Sequence, residues 1–295
     1  MTDESLRVRV EGHLLHRLVM DPKDDVTVCA EALFYHGQGD YAERYIDVLH
    51  PLTERGIRCI VTELPGHGRS PGRRGHCGNV ELLDSVIQNT LETMNELPYG
   101  VMGHSMGGLL AARHLVLAGQ GKLPKPSFAW LSSPLLSPGN RKSVLFLKML
   151  PLLASLIPSF TVSTGVKPAM CRVKSDVGDG TVVEAPSERP KHQLCHNRVS
   201  LDWGAALLDF EKFVQQGLDE IPADIPLIYT QGSGDTVCPA ILARERFKKF
   251  PNQDKQYHEF EGLLHEPFRG DGSDQLFAAL EVWLDHLDLN QSPTA

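Results

Sequence analysis

No basic excess marks this 295-residue chain: 29 Lys and Arg stand against 37 Asp and Glu, a formal net charge of -8. Binding to a phosphate backbone depends on clustered cations, so nucleic acid is not expected as a partner. Arg69, Arg73 and Arg74 do cluster, as do Lys122 and Lys125, but they lie among glycines and prolines that read as solvated loops. The six cysteines (Cys29, Cys59, Cys77, Cys171, Cys195 and Cys238) contain no Cys-x-x-Cys pair and no repeated short spacing. Nothing in their spacing suggests a zinc site or a dense disulfide framework, and reduced thiols are expected. Neither a metal nor an organic cofactor is expected. A membrane span needs about 20 apolar residues. The most apolar stretch, residues 144–158, falls short of that, carries Lys148 and is broken by Pro151 and Pro158, so one or two short helices are expected there. The opening Met1-Thr2-Asp3-Glu4-Ser5 is polar and acidic, with no long apolar run behind it. Neither a secretory signal nor a transit peptide is visible, and a cytoplasmic location is the expectation.

With 41% hydrophobic and 22% charged residues, the chain has the composition of a soluble globular protein with a packed core. Its elements alternate. Residues 6–10 and 13–20 read as a hairpin, followed by strands at 27–35, 56–62, 99–102 and 127–131. Helical spacing lies between them at 41–55, 80–97 and 108–118. Such alternation implies a mostly parallel sheet with helices on both faces. The pattern stops after Ser132-Ser133-Pro134 and resumes with a strand at 226–230, a helix at 240–250, a strand at 256–260 and a closing helix at 273–287. The expected organisation is therefore an α/β core formed by residues 1–134 and 200–295, with a helical cap inserted at 135–199. Residues 176–190 within the cap read as a polar loop. Leu145, Leu152, Leu153 and Leu156 are candidates either to line an acyl pocket or simply to pack on the core.

Gly103-His104-Ser105-Met106-Gly107 places a serine between two glycines, after a short apolar run and before a helix-forming stretch. A serine on a sharp strand-to-helix turn takes a strained backbone conformation, and small residues on either side let the chain fold back. A serine hydroxyl is a weak nucleophile at neutral pH and needs a histidine base oriented by a carboxylate. In a sheet of this type the chain order is Ser, acid, His. Asp235, in Gln231-Gly232-Ser233-Gly234-Asp235, follows a strand and falls at its C-terminal end, where the active-site edge should be. Asp219 and Asp224 precede that strand, and Asp209 belongs to a helical stretch. His265 leaves the last strand through Glu261-Gly262-Leu263-Leu264, whereas His258 lies within that strand and His286 on the last helix. Glu266 receives no catalytic role. The oxyanion of a tetrahedral intermediate requires aligned donors. The backbone N–H of Met106 is one candidate; that of Gln38, in the loop His36-Gly37-Gln38-Gly39, is the other.

Together these motifs, with residues 41–45, Glu63-Leu64-Pro65-Gly66-His67-Gly68-Arg69-Ser70 and the Gly108 that follows the elbow, resemble the monoacylglycerol lipase and lysophospholipase branch of the α/β-hydrolase fold (serine aminopeptidase S33-like). The resemblance runs collinearly from about residue 10 to residue 287, with the cap at 138–197 not aligned. It implies Ser105 as nucleophile, Asp235 and His265 as its partners, Gln38 and Met106 as oxyanion donors, and a mobile cap over an acyl-binding tunnel. The expected activity is release of a fatty acid from a single-acyl ester such as a monoacylglycerol or lysophospholipid. A short-chain carboxylesterase, a thioesterase or a small-peptide amide hydrolase would use the same triad, and a non-catalytic ligand-binding protein would normally have lost part of it. Dehalogenases and epoxide hydrolases share the fold but carry aspartate at the elbow. The apolar run at 144–157 adds an expectation of peripheral membrane contact through the cap.

Overall fold

The β-rich runs assemble into one eight-stranded sheet in a computed structural model that describes residues 3–136, 138, 139, 144–172, 194–287 and 289. The strands are β1 (Asp3–Val10), β2 (His13–Met20), β3 (Ala30–Tyr35), β4 (Ile57–Thr62), β5 (Tyr99–His104), β6 (Phe128–Ser132), and, past a two-stranded ribbon of β7 (Thr161–Ser163) and β8 (Arg198–Ser200), β9 (Leu227–Gly232) and β10 (Lys255–Phe260). The sheet order is β1-β2-β4-β3-β5-β6-β9-β10. Only β2 runs antiparallel to its neighbours. Glu11 and Gly12 both take positive φ, 45° and 79°, the turn geometry whose twist suits a two-residue hairpin between β1 and β2.

Among the described residues, seven α-helices accompany the sheet: α1 (Ile46–Thr53), α2 (Val80–Glu92), α3 (Met106–Gly119), α4 (Val144–Leu156), α5 (Leu201–Gly217), α6 (Ala240–Phe247) and α7 (Asp274–His286). Side chains alternate across a strand, and the cores follow that period. Leu33 and Tyr35 of β3, Ala129 and Leu131 of β6, and Leu227 and Tyr229 of β9 pack with α2, α3 and α5. Ala32, Phe34, Phe128, Trp130 and Ile228 point the other way, against α1 and α7. Both faces are thus covered, as the alternation of elements predicts and as parallel strands require.

The departures from expectation have local causes. The segment 41–55 opens as a 3-10 turn (Ala42–Tyr45) before α1 begins. Of the one or two short helices expected at residues 144–158, the structure forms one, α4, which continues through Pro151. Pro151 itself is solvent-exposed. The ribbon β7–β8 carries no strong sequence signal, its strands being only three residues each, whereas α5 is the helical stretch that holds Asp209. Residues 176–190 lie outside the described residues.

Candidate active site

The loops that leave β3, β5, β9 and β10 at their C-terminal ends converge on Ser105. Ser105 sits between β5 and α3 with φ 55° and ψ -115°, a region that a non-glycine residue occupies only when its surroundings enforce it. The enforcement is visible. Ser105 N–H donates to Ser132 O at 2.9 Å, and Ser105 O accepts from the N–H groups of Leu109 and Leu135. A Cβ on Gly103 would lie 2.2 Å from Gly107 O, and one on Gly107 would lie 1.8 Å from Tyr35 O. The fold-back therefore brings backbone against backbone, and only hydrogen side chains fit.

Asp235 and His265 come from neighbouring parallel strands whose exit loops are stitched together. Gly234 N–H donates to Leu263 O at 2.9 Å, and a Cβ on Gly232 would meet Leu264 O at 2.2 Å. Asp235 Oδ1 accepts from the N–H groups of Val237 (2.7 Å) and Cys238 (2.9 Å). Its Oδ2 accepts from Gln231 Nε2 at 2.9 Å and lies 2.7 Å from His265 Nδ1. A buried carboxylate can only accept, so His265 carries its proton on Nδ1 and presents the lone pair of Nε2 to Ser105 Oγ, 2.8 Å away. Asp235 and His265 are both almost fully buried. The imidazole of His104 lies 4.9 Å from that of His265 and edge-on to Phe268. Burial, reinforced by His265, holds His104 well below the usual histidine range, which makes it a neutral packing surface.

Met106 follows Ser105 in the chain, and Gln38 lines the same cavity as Ser105. Among the described residues, neither backbone N–H donates to a partner. The Gln38 loop is braced from below: Gly37 N–H donates to Tyr45 Oη at 2.9 Å, and Tyr45 O–H donates to Asp40 Oδ2 at 2.7 Å. Burial, with Asp40 beside it, pushes the Tyr45 phenol well up, so it remains a donor. Arg44 pairs with Asp40 Oδ1 and with Glu266 Oε2, both at 2.6 Å. One guanidinium thus ties the Gln38 loop to the loop that carries His265. Glu266, given no role from sequence, is a buried ion-pair partner rather than a surface charge. A buried pair of this kind adds little net stability over an apolar replacement, whereas removing one partner leaves a buried charge uncompensated.

Ser105 and His265 open into a cavity of about 690 Å³, within the range of small-molecule sites. Phe146, Leu147 and Leu150 of α4, Val162 and Val199 of the ribbon, and Leu207 of α5 make its apolar walls; Lys167, Arg172 and His196 supply polar ones. Of the cap leucines suggested by sequence, Leu152 and Leu156 are 58% and 68% exposed and point away from the cavity, and Leu153, half-buried, does not line it either. The side chain of Leu145 lies outside the described residues. The donor atoms of Asp235, Cys238 and His265 approach within 4.8 Å, a spacing open to a metal ion. The carboxylate is already committed to four hydrogen bonds, however, and burial pushes the Cys238 thiol well up and away from the thiolate a metal would need. All six cysteines are free.

The family model described as serine aminopeptidase, S33 matches residues 27–271. The chain belongs to this S33 family. Its architecture is the α/β-hydrolase fold. Among relatives, this S33 chain is 28% identical to an abhydrolase domain-containing protein of Dictyostelium discoideum over 86% of its own length, and spans 26% of that longer protein. It is 26% identical to phospholipase YtpA of Bacillus subtilis, covering 87% of this chain and 95% of that one. The crystal structure of the Paleococcus ferrophilus monoacylglycerol lipase superposes with a TM-score of 0.76 at 25% identity, covering 92% of this chain and 99% of that one.

Proposed function

We propose that this S33 chain is a serine carboxylic-ester hydrolase that releases a fatty acid from a single-acyl lipid, such as a monoacylglycerol or lysophospholipid. The observation that carries the reading is the unbroken hydrogen-bond line from Asp235 through His265 to Ser105 at the edge of an apolar-walled cavity. Ser105 Oγ attacks the ester carbonyl while His265 Nε2 takes its proton, and Asp235 stabilises the imidazolium that forms. The oxyanion is received by the N–H groups of Gln38 and Met106; losing one such donor costs about 3 kcal/mol in the transition state. Collapse breaks the ester C–O bond, and His265 returns the proton to the departing alcohol. Water then attacks the acyl-enzyme, assisted by the same histidine, and the fatty acid leaves.

The lipid assignment is supported by the apolar walls contributed by α4 and α5, and by the phospholipase and monoacylglycerol lipase named among the relatives. Met149, Leu152, Leu156, Ile157 and Phe160 form an exposed apolar surface on and just after α4, which suits contact with a lipid interface. Among the described residues, no helix is long and apolar enough to cross a membrane. Values of kcat/KM for a long-chain monoacylglycerol, a lysophospholipid, a short-chain ester, a thioester and an amino-acid anilide test the proposal. One of the two lipids is expected to lead; preference for the anilide, the thioester or the short-chain ester contradicts it.

A further inference from the structure

The chain returning from the cap is laced to the loop after β3. His196 N–H donates to Gly39 O at 2.9 Å, and a Cβ on Gly39 would lie 1.7 Å from His196 O. Four residues on, Ser200 N–H donates to Gly75 O at 2.8 Å. Between these anchors Gln38 uses both ends of its side chain. Its Nε2 donates to Arg198 O at 2.8 Å, and its Oε1 accepts from Trp203 Nε1 at 3.1 Å. An indole N–H only donates and a backbone carbonyl only accepts, so these two partners fix the carboxamide in one orientation. The same indole nitrogen lies 3.3 Å from Met106 Sδ. Trp203 is fully buried, with Phe210 edge-on at 6.0 Å. One buried ring therefore touches the side chains of both residues assigned above as oxyanion donors.

We propose that the Gln38 carboxamide and the Trp203 indole are positioning residues for the oxyanion hole, and that they couple its alignment to the seating of β8. The inference rests on the assignment of Gln38 and Met106 as oxyanion donors. Gln38 stands between two glycines, so its peptide has little steric restraint of its own along the loop. The side-chain clamp supplies that restraint. A donor that swings away from the developing oxyanion loses its effect in the transition state while leaving the binding of the uncharged ester nearly untouched.

Gln38→Met keeps the length of the side chain and removes both hydrogen bonds; Trp203→Phe keeps a buried ring and removes the N–H. Each variant, checked for folding by circular dichroism and thermal melting, is expected to lose about tenfold in kcat with KM changed by less than about twofold. The inhibition constant of an alkyl boronic acid, whose tetrahedral adduct places an oxygen in the same hole, should rise by a similar factor. The double variant should be little worse than either single one, because both act through one shared hydrogen bond. A folded Gln38→Met enzyme with kcat and boronate affinity within about twofold of wild type overturns the proposal, as does a loss confined to KM. Losses that multiply in the double variant overturn the shared clamp. If Trp203→Phe does not fold, Gln38→Met and Gln38→Leu decide by the same readouts. Failure of the wild-type protein to hydrolyse esters or bind the boronate would instead remove the underlying assignment, and the clamp with it.

Discussion

Replacing Asp235 with asparagine preserves shape and removes one acceptor, and the structure dictates where the new amide must go. Oδ1 accepts two backbone N–H groups, from Val237 and Cys238, so the carbonyl oxygen of the asparagine has to remain there. The amide nitrogen takes the place of Oδ2, facing His265 Nδ1 at 2.7 Å and Gln231 Nε2 at 2.9 Å. Two donors cannot face each other. His265 must turn its lone pair to Nδ1 and carry its proton on Nε2, pointing at Ser105 Oγ, where it has no lone pair to receive the hydroxyl proton. Inverting the tautomer in this way costs about 10⁴-fold in kcat, or about 5.5 kcal/mol, in the chymotrypsin template. Gln231 can relieve its own donor clash only by flipping its amide, which sacrifices a 2.9 Å bond to Cys238 O, a penalty of about 1 kcal/mol. The expected Asp235→Asn enzyme is therefore folded, melts about 2–4 °C lower, and has lost about four orders of magnitude in kcat/KM on a p-nitrophenyl ester. A folded variant within about tenfold of wild type would refute the tautomer argument.

Gly107→Ala drives a Cβ to 1.8 Å from Tyr35 O, a backbone atom that cannot swing away, so urea unfolding should show a loss of about 3 kcal/mol or more, and an unchanged midpoint would contradict the close packing of the elbow. His114 is buried between Tyr35 Oη at 2.9 Å and Tyr99 Oη at 3.0 Å, and burial, with Arg113 nearby, lowers its pKa from 6.5 to about 3. Because the folded value is depressed, the associated stability is complete above about pH 6.5 and is lost as the pH falls toward 3, amounting to about 2 kcal/mol between pH 7 and 5. His114→Gln should flatten the stability profile over that interval by this amount, and an identical slope would count against it. Leu152→Asp combined with Leu156→Asp should abolish co-sedimentation with phosphatidylcholine liposomes; undiminished binding would place the lipid contact elsewhere.

The central sheet is legible in the sequence because its strands are short β-rich runs with glycine-rich or polar exits, and those exits are where Ser105, Asp235 and His265 stand. Reading each candidate from a strand end discards Asp219 and Asp224 on direction, and sets aside His258 inside a strand and His286 on a helix. The Arg44 bridge is not legible. Its partner Glu266 is 222 residues away, and no local period or motif marks such a pair. The orientation of α4 is hidden for a different reason. Residues 144–156 are apolar on nearly every side, so no stripe tells which side faces inward. Packing on α5 decides it, turning Phe146, Leu147 and Leu150 to the cavity and Met149, Leu152 and Leu156 to solvent. The clamp on Gln38 is likewise invisible, since it joins a loop to a ribbon strand of three residues and a tryptophan on α5.

The most direct test of the mechanism is covalent capture of the nucleophile. Intact protein is treated with a fluorophosphonate probe, digested, and the modified residue located by mass spectrometry, alongside Ser105→Ala and His265→Ala. A single stoichiometric adduct on Ser105 is expected, absent from the first variant and strongly slowed in the second, with ester turnover lost in parallel. An adduct on another residue, or undiminished turnover by Ser105→Ala, would contradict the assignment of Ser105 as the acylated residue.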